Sequence, residues 1–238
     1  MIFDEKGKMI AIIPARGGSK RIPRKNVKDF CGRPILSYSI DAANDSGLFD
    51  EVMVSTDDKE VAEIAETYGA NVPFFRSAEN SSDYATTTDV LLEVIREYQK
   101  QGNNFTWLCC LYPTAPFVTG EKLKRAFTQL SESNMDALMP VVSFSYPPLR
   151  GLVIQENQVS IKWPEYTFTR SQDLETIYHD CGQFYFIRTD VIIREKNMIC
   201  RKMMPMIMSE VEVQDIDNEI DWELAELKYS LLKRKGLI

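Results

Sequence analysis

Short apolar runs alternate with stretches of helical period along the N-terminal part of the chain, and this alternation restricts the fold more than any other feature. Residues 9–14 (MIAIIP) read as a strand. Residues 35–43 then place Ile35, Leu36, Ile40 and Ala43 on one helical face. A strand at 51–55 stops at Thr56-Asp57-Asp58. A helix over 59–68 follows, with Val61, Ala62, Ile64 and Ala65 inward and Gly69 at its end. The same reading predicts a short strand at 72–75, a helix at 88–101, the most apolar strand at 105–112, a helix at 121–133 and a strand at 136–142. Strand, helix, strand in repetition predicts an α/β fold on a mainly parallel sheet. Such sheets collect ligands at the carboxyl ends of their strands. Those ends are Ala15-Arg16-Gly17, Ser55-Thr56-Asp57 and Tyr112-Pro113-Thr114.

The pattern breaks over 143–182. GLVIQENQVSIKW reads as a hairpin turning at Glu156-Asn157, and Trp163, Tyr166 and Phe168 crowd the stretch after it. This segment is expected to leave the sheet as a lid or a dimer arm. The sheet resumes at 183–187, and the methionine tract 203–208 fits strand and core packing, since no thiolate or histidine cluster accompanies it. A final amphipathic helix is expected over 219–235 through Trp222, Leu224, Ala225, Leu227 and Leu231. With 238 residues and no internal repeat, 1–238 is read as a single domain.

A net charge of −7 excludes a general basic surface for nucleic acid. No run approaches the ~18 apolar residues of a membrane span, and MIFDEKGKM lacks a signal-peptide core. Cys109 and Cys110 adjoin inside an apolar run and no cysteines are spaced CxxC, which suits buried thiols in a reducing compartment. The expectation is a cytoplasmic protein without nucleic-acid or membrane partners.

Against this acidic background, Arg16, Lys20, Arg21, Arg24 and Lys25 surround Gly17 and Gly18 just after the first strand. The segment is neither GxGxxG nor GxxxxGK[ST], which counts against a nicotinamide-dependent oxidoreductase. Its glycines let backbone N–H groups turn toward a ligand, and its cations can surround three phosphates. That combination suits a triphosphate cleaved at an internal bond, where charge builds on the leaving pyrophosphate. The bland alternative is a solvated basic loop.

Near the other end, VEVQDIDNEID sets Asp215 and Asp217 two residues apart. In an extended segment both carboxylates point to one side and can share a cation. Hard oxygens without nearby Cys or His favour Mg²⁺. The same residues could instead cap a helix, with Asp217 or Asn218 as N-cap and Asp221 in the first turn.

IIPARGGSKRIPRKN resembles the N-terminal motif of the cytidylyltransferases that activate sialic acids and related nonulosonic acids. VMVSTDDKEVAEIAETYGANVPFFR, YPTAP and VQDIDNEIDWELAE are similar to further motifs of that family, in the same order. The resemblance implies a Rossmann-like three-layer sandwich of the nucleotide-diphospho-sugar transferase type, a homodimer, and CTP as donor. It implies that Ala15, Arg16, Gly17, Gly18, Ser19, Lys20, Lys25 and Asn26 line the nucleotide, with Arg16, Lys20 and Lys25 catalytic at the phosphates. Arg76 would meet the cytosine, whose O2 and N3 are acceptors, although a plain surface arginine is the alternative. Asp83, Thr87 and Thr88 would lie in the ribose and base loop, and Asp215 and catalytic Asp217 would hold Mg²⁺.

For the acceptor, Tyr112 stands where the sialic acid enzymes carry a glutamine. RSQDLETIYHDCGQFYF looks like the pseudaminic acid branch, so the implied substrate is a nine-carbon sugar acid of that kind. N-acetylneuraminic, legionaminic and 3-deoxy-octulosonic acids remain as competitors, and a non-catalytic nucleotide-binding module is the distant alternative. Tyr112, Thr114, Arg170, Gln172, His179, Asp180 and Gln183 are the acceptor candidates. Arg170 suits a carboxylate through its bidentate geometry, and His179, the single histidine, is a contact, orienting or proton-handling group.

Overall fold

The computed structural model describes residues 7–238, and the expectation about a signal-peptide core concerns a segment that lies partly outside them. The chain runs through β1 (Met9–Pro14), β2 (Asp29–Phe30), β3 (Arg33–Pro34), α1 (Ile35–Ser46), β4 (Glu51–Ser55), α2 (Lys59–Thr67), α3 (Thr87–Lys100) and β5 (Trp107–Leu111). It continues through α4 (Gly120–Ser131), β6 (Ala137–Ser143), β7 (Leu152–Gln155), β8 (Gln158–Ile161), β9 (Tyr178–Asp180), β10 (Phe184–Arg188), α5 (Thr189–Glu195), β11 (Met203–Ile207) and α6 (Glu219–Arg234). The central sheet is ordered β11-β6-β10-β5-β1-β4, with β9 also on β6. Neighbours β4, β1 and β5 are parallel, as are β6 and β11, while β10 runs antiparallel between β5 and β6.

Side chains alternate across a strand, so each buried strand feeds two cores. Met9, Ala11 and Ile13 of β1 face α1, α2 and α4 through Leu36, Val61 and Phe127. Ile10 and Ile12 face α3 and α5 through Leu91, Val94 and Ile192. The result is the expected three-layer α/β sandwich. Cys109 and Cys110, being adjacent, bury on opposite faces and are free, and burial raises both thiol pKa values.

A third core matters most for the site. Ile22 of the basic loop, Phe30 of β2, Tyr38 of α1, Ile216 of the acidic turn and Trp222 of α6 pack together, each at most 5% exposed. Burial of these apolar side chains sets the basic loop and the acidic turn side by side.

Four expectations change. The segment expected to leave the sheet over 143–182 rejoins it before its end, because β9 pairs antiparallel with β6. No strand forms at 72–75: Asn71 pairs with Met53, and Pro73, lacking an N–H, cannot extend the ladder. In α6 the inward face is Trp222, Ala225 and Leu232, whereas Leu224 and Leu227 are exposed. Helix α5 was not foreseen, because seven residues are too few for a helical period to show. The hairpin does turn at Glu156-Asn157, both with positive φ (50° and 63°) as a two-residue turn of mirror-image type requires. No helix among the described residues is long and apolar enough to cross a membrane.

Candidate active site

The basic loop leaves β1 at the carboxyl edge of the sheet, with Ala15 N still bonded to Ser55 O of β4 (2.9 Å). Gly17 N donates to Asp57 Oδ1 (2.9 Å), and a Cβ on Gly17 would lie 2.5 Å from Asp58 Oδ2, so no other residue fits without a shift. The loop cations then separate by partner. Arg24, in the left-handed region, pairs with Asp58 through both nitrogens (2.6 and 3.2 Å) and also with Glu60. It is therefore a structural clamp on the N-terminus of α2. Arg16 and Lys20 both reach Asp83 (3.0 and 2.5 Å). Arg21 pairs with Asp217 at 2.6 Å. Lys25 Nζ donates to Ile216 O (2.7 Å), and burial lowers its pKa against the pull of Asp217 and Asp215. Asn26, buried, donates to Arg16 O (2.9 Å) and so fixes the backbone from which Arg16 projects.

Arg16, Lys20, Arg21, Lys25 and Asn26 border an open cleft of about 480 Å³ with Gly18, Ser19, Tyr112 and Thr114. A neighbouring cleft of about 240 Å³ is bordered by Arg16, Arg76, Asp83, Thr87 and Tyr112. Arg76 is no surface arginine: it is 8% exposed and donates from Nε to Ser55 Oγ (3.0 Å) and from Nη2 to Ser55 O. Thr87 Oγ1 and Tyr112 OH are hydrogen-bonded at 3.3 Å, and burial raises the Tyr112 pKa to about 12, so the phenol stays protonated at neutral pH. Thr88, one step further along α3, is half-buried and does not border that cleft.

In the acidic turn Asp215 is exposed and Asp217 half-buried, on either side of buried Ile216. The capping alternative is resolved in detail. Asn218 is the N-cap of α6, and Asp221 Oδ2 accepts from Asp217 N and Asn218 N (2.9 and 3.0 Å). The carboxylates of Asp215 and Asp217 are thus free of helix capping. Among the described residues no group of three His, Cys, Asp or Glu side chains gathers as a metal set. An all-oxygen carboxylate pair, with Asp217 meeting Arg21 of the basic loop, has the chemistry that suits Mg²⁺, which is commonly held by one or two carboxylates plus substrate phosphates.

The acceptor candidates do not converge. Tyr112 and Thr114 border the cleft lined by the basic loop. His179 and Asp180 border a separate cleft of about 340 Å³ beside Asp215, with Ser145, Glu210 and Lys228. His179 Nδ1 meets Asp180 O at 2.9 Å; a carbonyl only accepts, so Nδ1 is the donor, and in the neutral ring Nε2 is the nitrogen that can accept. Asp180 is held from both sides, Oδ1 by Gly182 N (2.8 Å) and Oδ2 by Tyr185 OH (2.5 Å). Gln183 is buried; its Nε2 donates to Glu212 O (2.6 Å), and its Oε1 has no hydrogen-bond partner among the described residues. Arg170 and Gln172 sit in the excursion outside this cleft, with Arg170 paired to Asp173 at 2.7 Å. Sequence reasoning missed Tyr185, Ser145, Glu210 and Lys228, since only the folded chain brings them to Asp180 and Asp215.

Comparison with known proteins agrees with this architecture. The profile described as cytidylyltransferase matches residues 10–232. The chain is 40% identical over 225 residues to a pseudaminic acid cytidylyltransferase of Campylobacter jejuni, covering 94% of this chain and 97% of that one. It is 32% identical to a CMP-N,N'-diacetyllegionaminic acid synthase of Legionella pneumophila, covering 97% and 100%. Among solved structures it resembles a CMP:2-keto-3-deoxy-manno-octonic acid synthetase complexed with CTP, with a TM-score of 0.68 at 16% identity over 94% of this chain and 99% of that one. That likeness concerns the fold. A basic glycine loop packed against an acidic turn, on a sheet of this order and with these relatives, places the chain in the cytidylyltransferase family of nucleotidyltransferases.

Proposed function

We propose that the protein transfers CMP from CTP to pseudaminic acid, releasing pyrophosphate. The observation that carries this reading is the shared core of Ile22 and Ile216, which packs the basic loop against the acidic turn, with Arg21 paired to Asp217 and Lys25 bonded to Ile216 O. The 40% identity to a pseudaminic acid cytidylyltransferase supports the choice of acceptor.

Arg16, Lys20 and Lys25 hold the triphosphate and offset the charge that develops on the leaving pyrophosphate. The N–H groups of Gly17 and Gly18 add donors along the same path. Arg76, with Thr87 and Tyr112, receives the nucleoside, and Asn26 keeps Arg16 in place. Asp215 and Asp217 would hold Mg²⁺, which would supply Lewis-acid stabilisation of the charge developing at the phosphate and would lower the pKa of the attacking hydroxyl. His179 Nε2 offers an acceptor to the sugar hydroxyl in its cleft, and the anomeric oxygen displaces pyrophosphate in line.

The excursion at 143–182 serves as a dimer arm. Its exposed Leu152, Ile154, Val159 and Phe168 support that role. A cytoplasmic setting is supported by the free thiols of Cys31, Cys109, Cys110, Cys181 and Cys200.

The test is pyrophosphate release from CTP and Mg²⁺ with pseudaminic acid and N-acetylneuraminic acid in parallel. Release with pseudaminic acid alone is expected. Release with N-acetylneuraminic acid alone would discard the acceptor. Absence of release with either, or with legionaminic acid, would discard the reaction.

A further inference from the structure

The cleft beside the acidic turn has an acidic lining, yet the proposed substrate is itself an acid. Asp180, Glu210 and Asp215 all border it, and among the described lining residues Lys228 is the one lysine or arginine. A carboxylate brought in beside other carboxylates requires a cation at contact distance. Arg170, the arginine expected to meet it, is 73% exposed at its side chain, pairs with Asp173 and does not border the cleft.

Lys228 projects from α6, and its Nζ donates to Val213 O at 2.7 Å and to Glu210 O at 3.2 Å. Both carbonyls belong to residues that border the same cleft. An ammonium carries three donors. Two bonds to neutral carbonyls fix its position while leaving one donor and its charge for a ligand. Two of the three acids that border the cleft are engaged elsewhere. Glu210 Oε1 accepts from Ser145 Oγ (2.8 Å), and Asp180 accepts from Gly182 N and Tyr185 OH. Burial lowers the Lys228 pKa while Glu210 opposes that shift, as for a partly desolvated cation that gains from an anionic partner.

We propose that Lys228 receives the carboxylate of the acceptor sugar acid. In a 2-ulosonic acid the carboxylate is attached to the anomeric carbon, so anchoring one positions the other. The anomeric hydroxyl is then held on the Asp215 side of the cleft, and acids are selected over neutral sugars. This assignment rests on the acceptor reading above.

The test is calorimetric binding of pseudaminic acid and of its methyl ester, with CTP titrated separately, to wild type, Lys228→Gln and Lys228→Arg. The glutamine amide can still donate to the two carbonyls but carries no charge. The expected result is a loss of roughly 10-fold or more in acid affinity for Lys228→Gln. Ester and CTP affinities should stay unchanged, and Lys228→Arg should recover part of the loss. Equal weakening of acid and ester would make Lys228 a structural residue and overturn the proposal. If Lys228→Gln also loses CTP, the wild-type comparison decides, since an acid no tighter than its ester overturns the contact. If wild type binds CTP but neither form of the sugar, the acceptor reading itself fails, and the Lys228 assignment with it.

Discussion

Asp83 lies where the proposed nucleoside and phosphate halves of the site meet. It projects from the loop before α3 and takes both Arg16 and Lys20, and those contacts hold its carboxyl below the usual range. In the proposed reaction the same two cations hold the phosphates, so Asp83 and a phosphate would compete for them. Asp83→Asn should therefore bind inorganic pyrophosphate and CTP more tightly, roughly two- to fivefold, since exposed ion pairs are individually weak. Calorimetry at fixed ionic strength reads this directly. Weaker CTP binding with unchanged pyrophosphate binding would instead make Asp83 a ribose ligand, the role implied by the family resemblance. Residue-scale roles of this kind were only partly legible in the chain. The loop cations were visible as a group, but Arg24 is a clamp on Asp58, 34 residues away, and spacing carries no record of such a contact.

At the scale of elements, the junction of the basic loop with α2 rests on Asp58. This residue caps α2 by accepting from Val61 N (3.1 Å), pairs with Arg24, and lies against the bare Cα of Gly17. Arg24 is the first cause of its lowered pKa. A carboxyl whose folded pKa is depressed stabilises the fold above its ordinary pKa and loses that contribution as pH falls through the folded value. Asp58→Ala should thus be less stable than wild type by about 1–2 kcal/mol at pH 7, chiefly through the lost cap. The gap should narrow as pH drops below about 4. Urea unfolding at both pH values tests it, and a gap that stays constant with pH would remove the ionised carboxylate from the explanation. Helices and strands with long, clear periods were legible: Met9–Pro14 and Glu51–Ser55 have the boundaries expected of them. The failures have local causes. Pro73 ends a pairing whose apolar residues looked strand-like, and in α6 both Leu224 and Trp222 are apolar, so only packing decides which one turns inward. The acceptor candidates scattered for a related reason. Arg170 and Gln172 lie on an excursion whose direction no periodicity specifies, whereas His179 and Asp180 are placed by pairing of β9 with β6.

At the scale of the whole molecule, the hairpin of β7 and β8 is the element whose stability the chain alone explains least. It forms a separate two-stranded sheet, and such ribbons are marginal in water unless one face is covered. Ile154 is opposite Val159 and Leu152 is opposite Ile161, so the four apolar side chains share one face, and Leu152, Ile154 and Val159 are each more than 60% exposed. Phe168, 97% exposed, adds to the same excursion. A second copy of the chain, presenting the same patch about a two-fold axis, would cover this face with matching chemistry. Wild type is therefore expected to sediment at twice the 27.4 kDa chain mass at micromolar concentration. Ile154→Lys should shift the boundary to the single-chain mass, because a charge at the centre of an apolar contact cannot be buried unpaired. CTP binding, proposed to use β1, β4 and the basic loop of one chain, should survive that shift. A wild-type protein that sediments as a single chain would remove the dimer arm, and the exposed face of the hairpin would then need another partner.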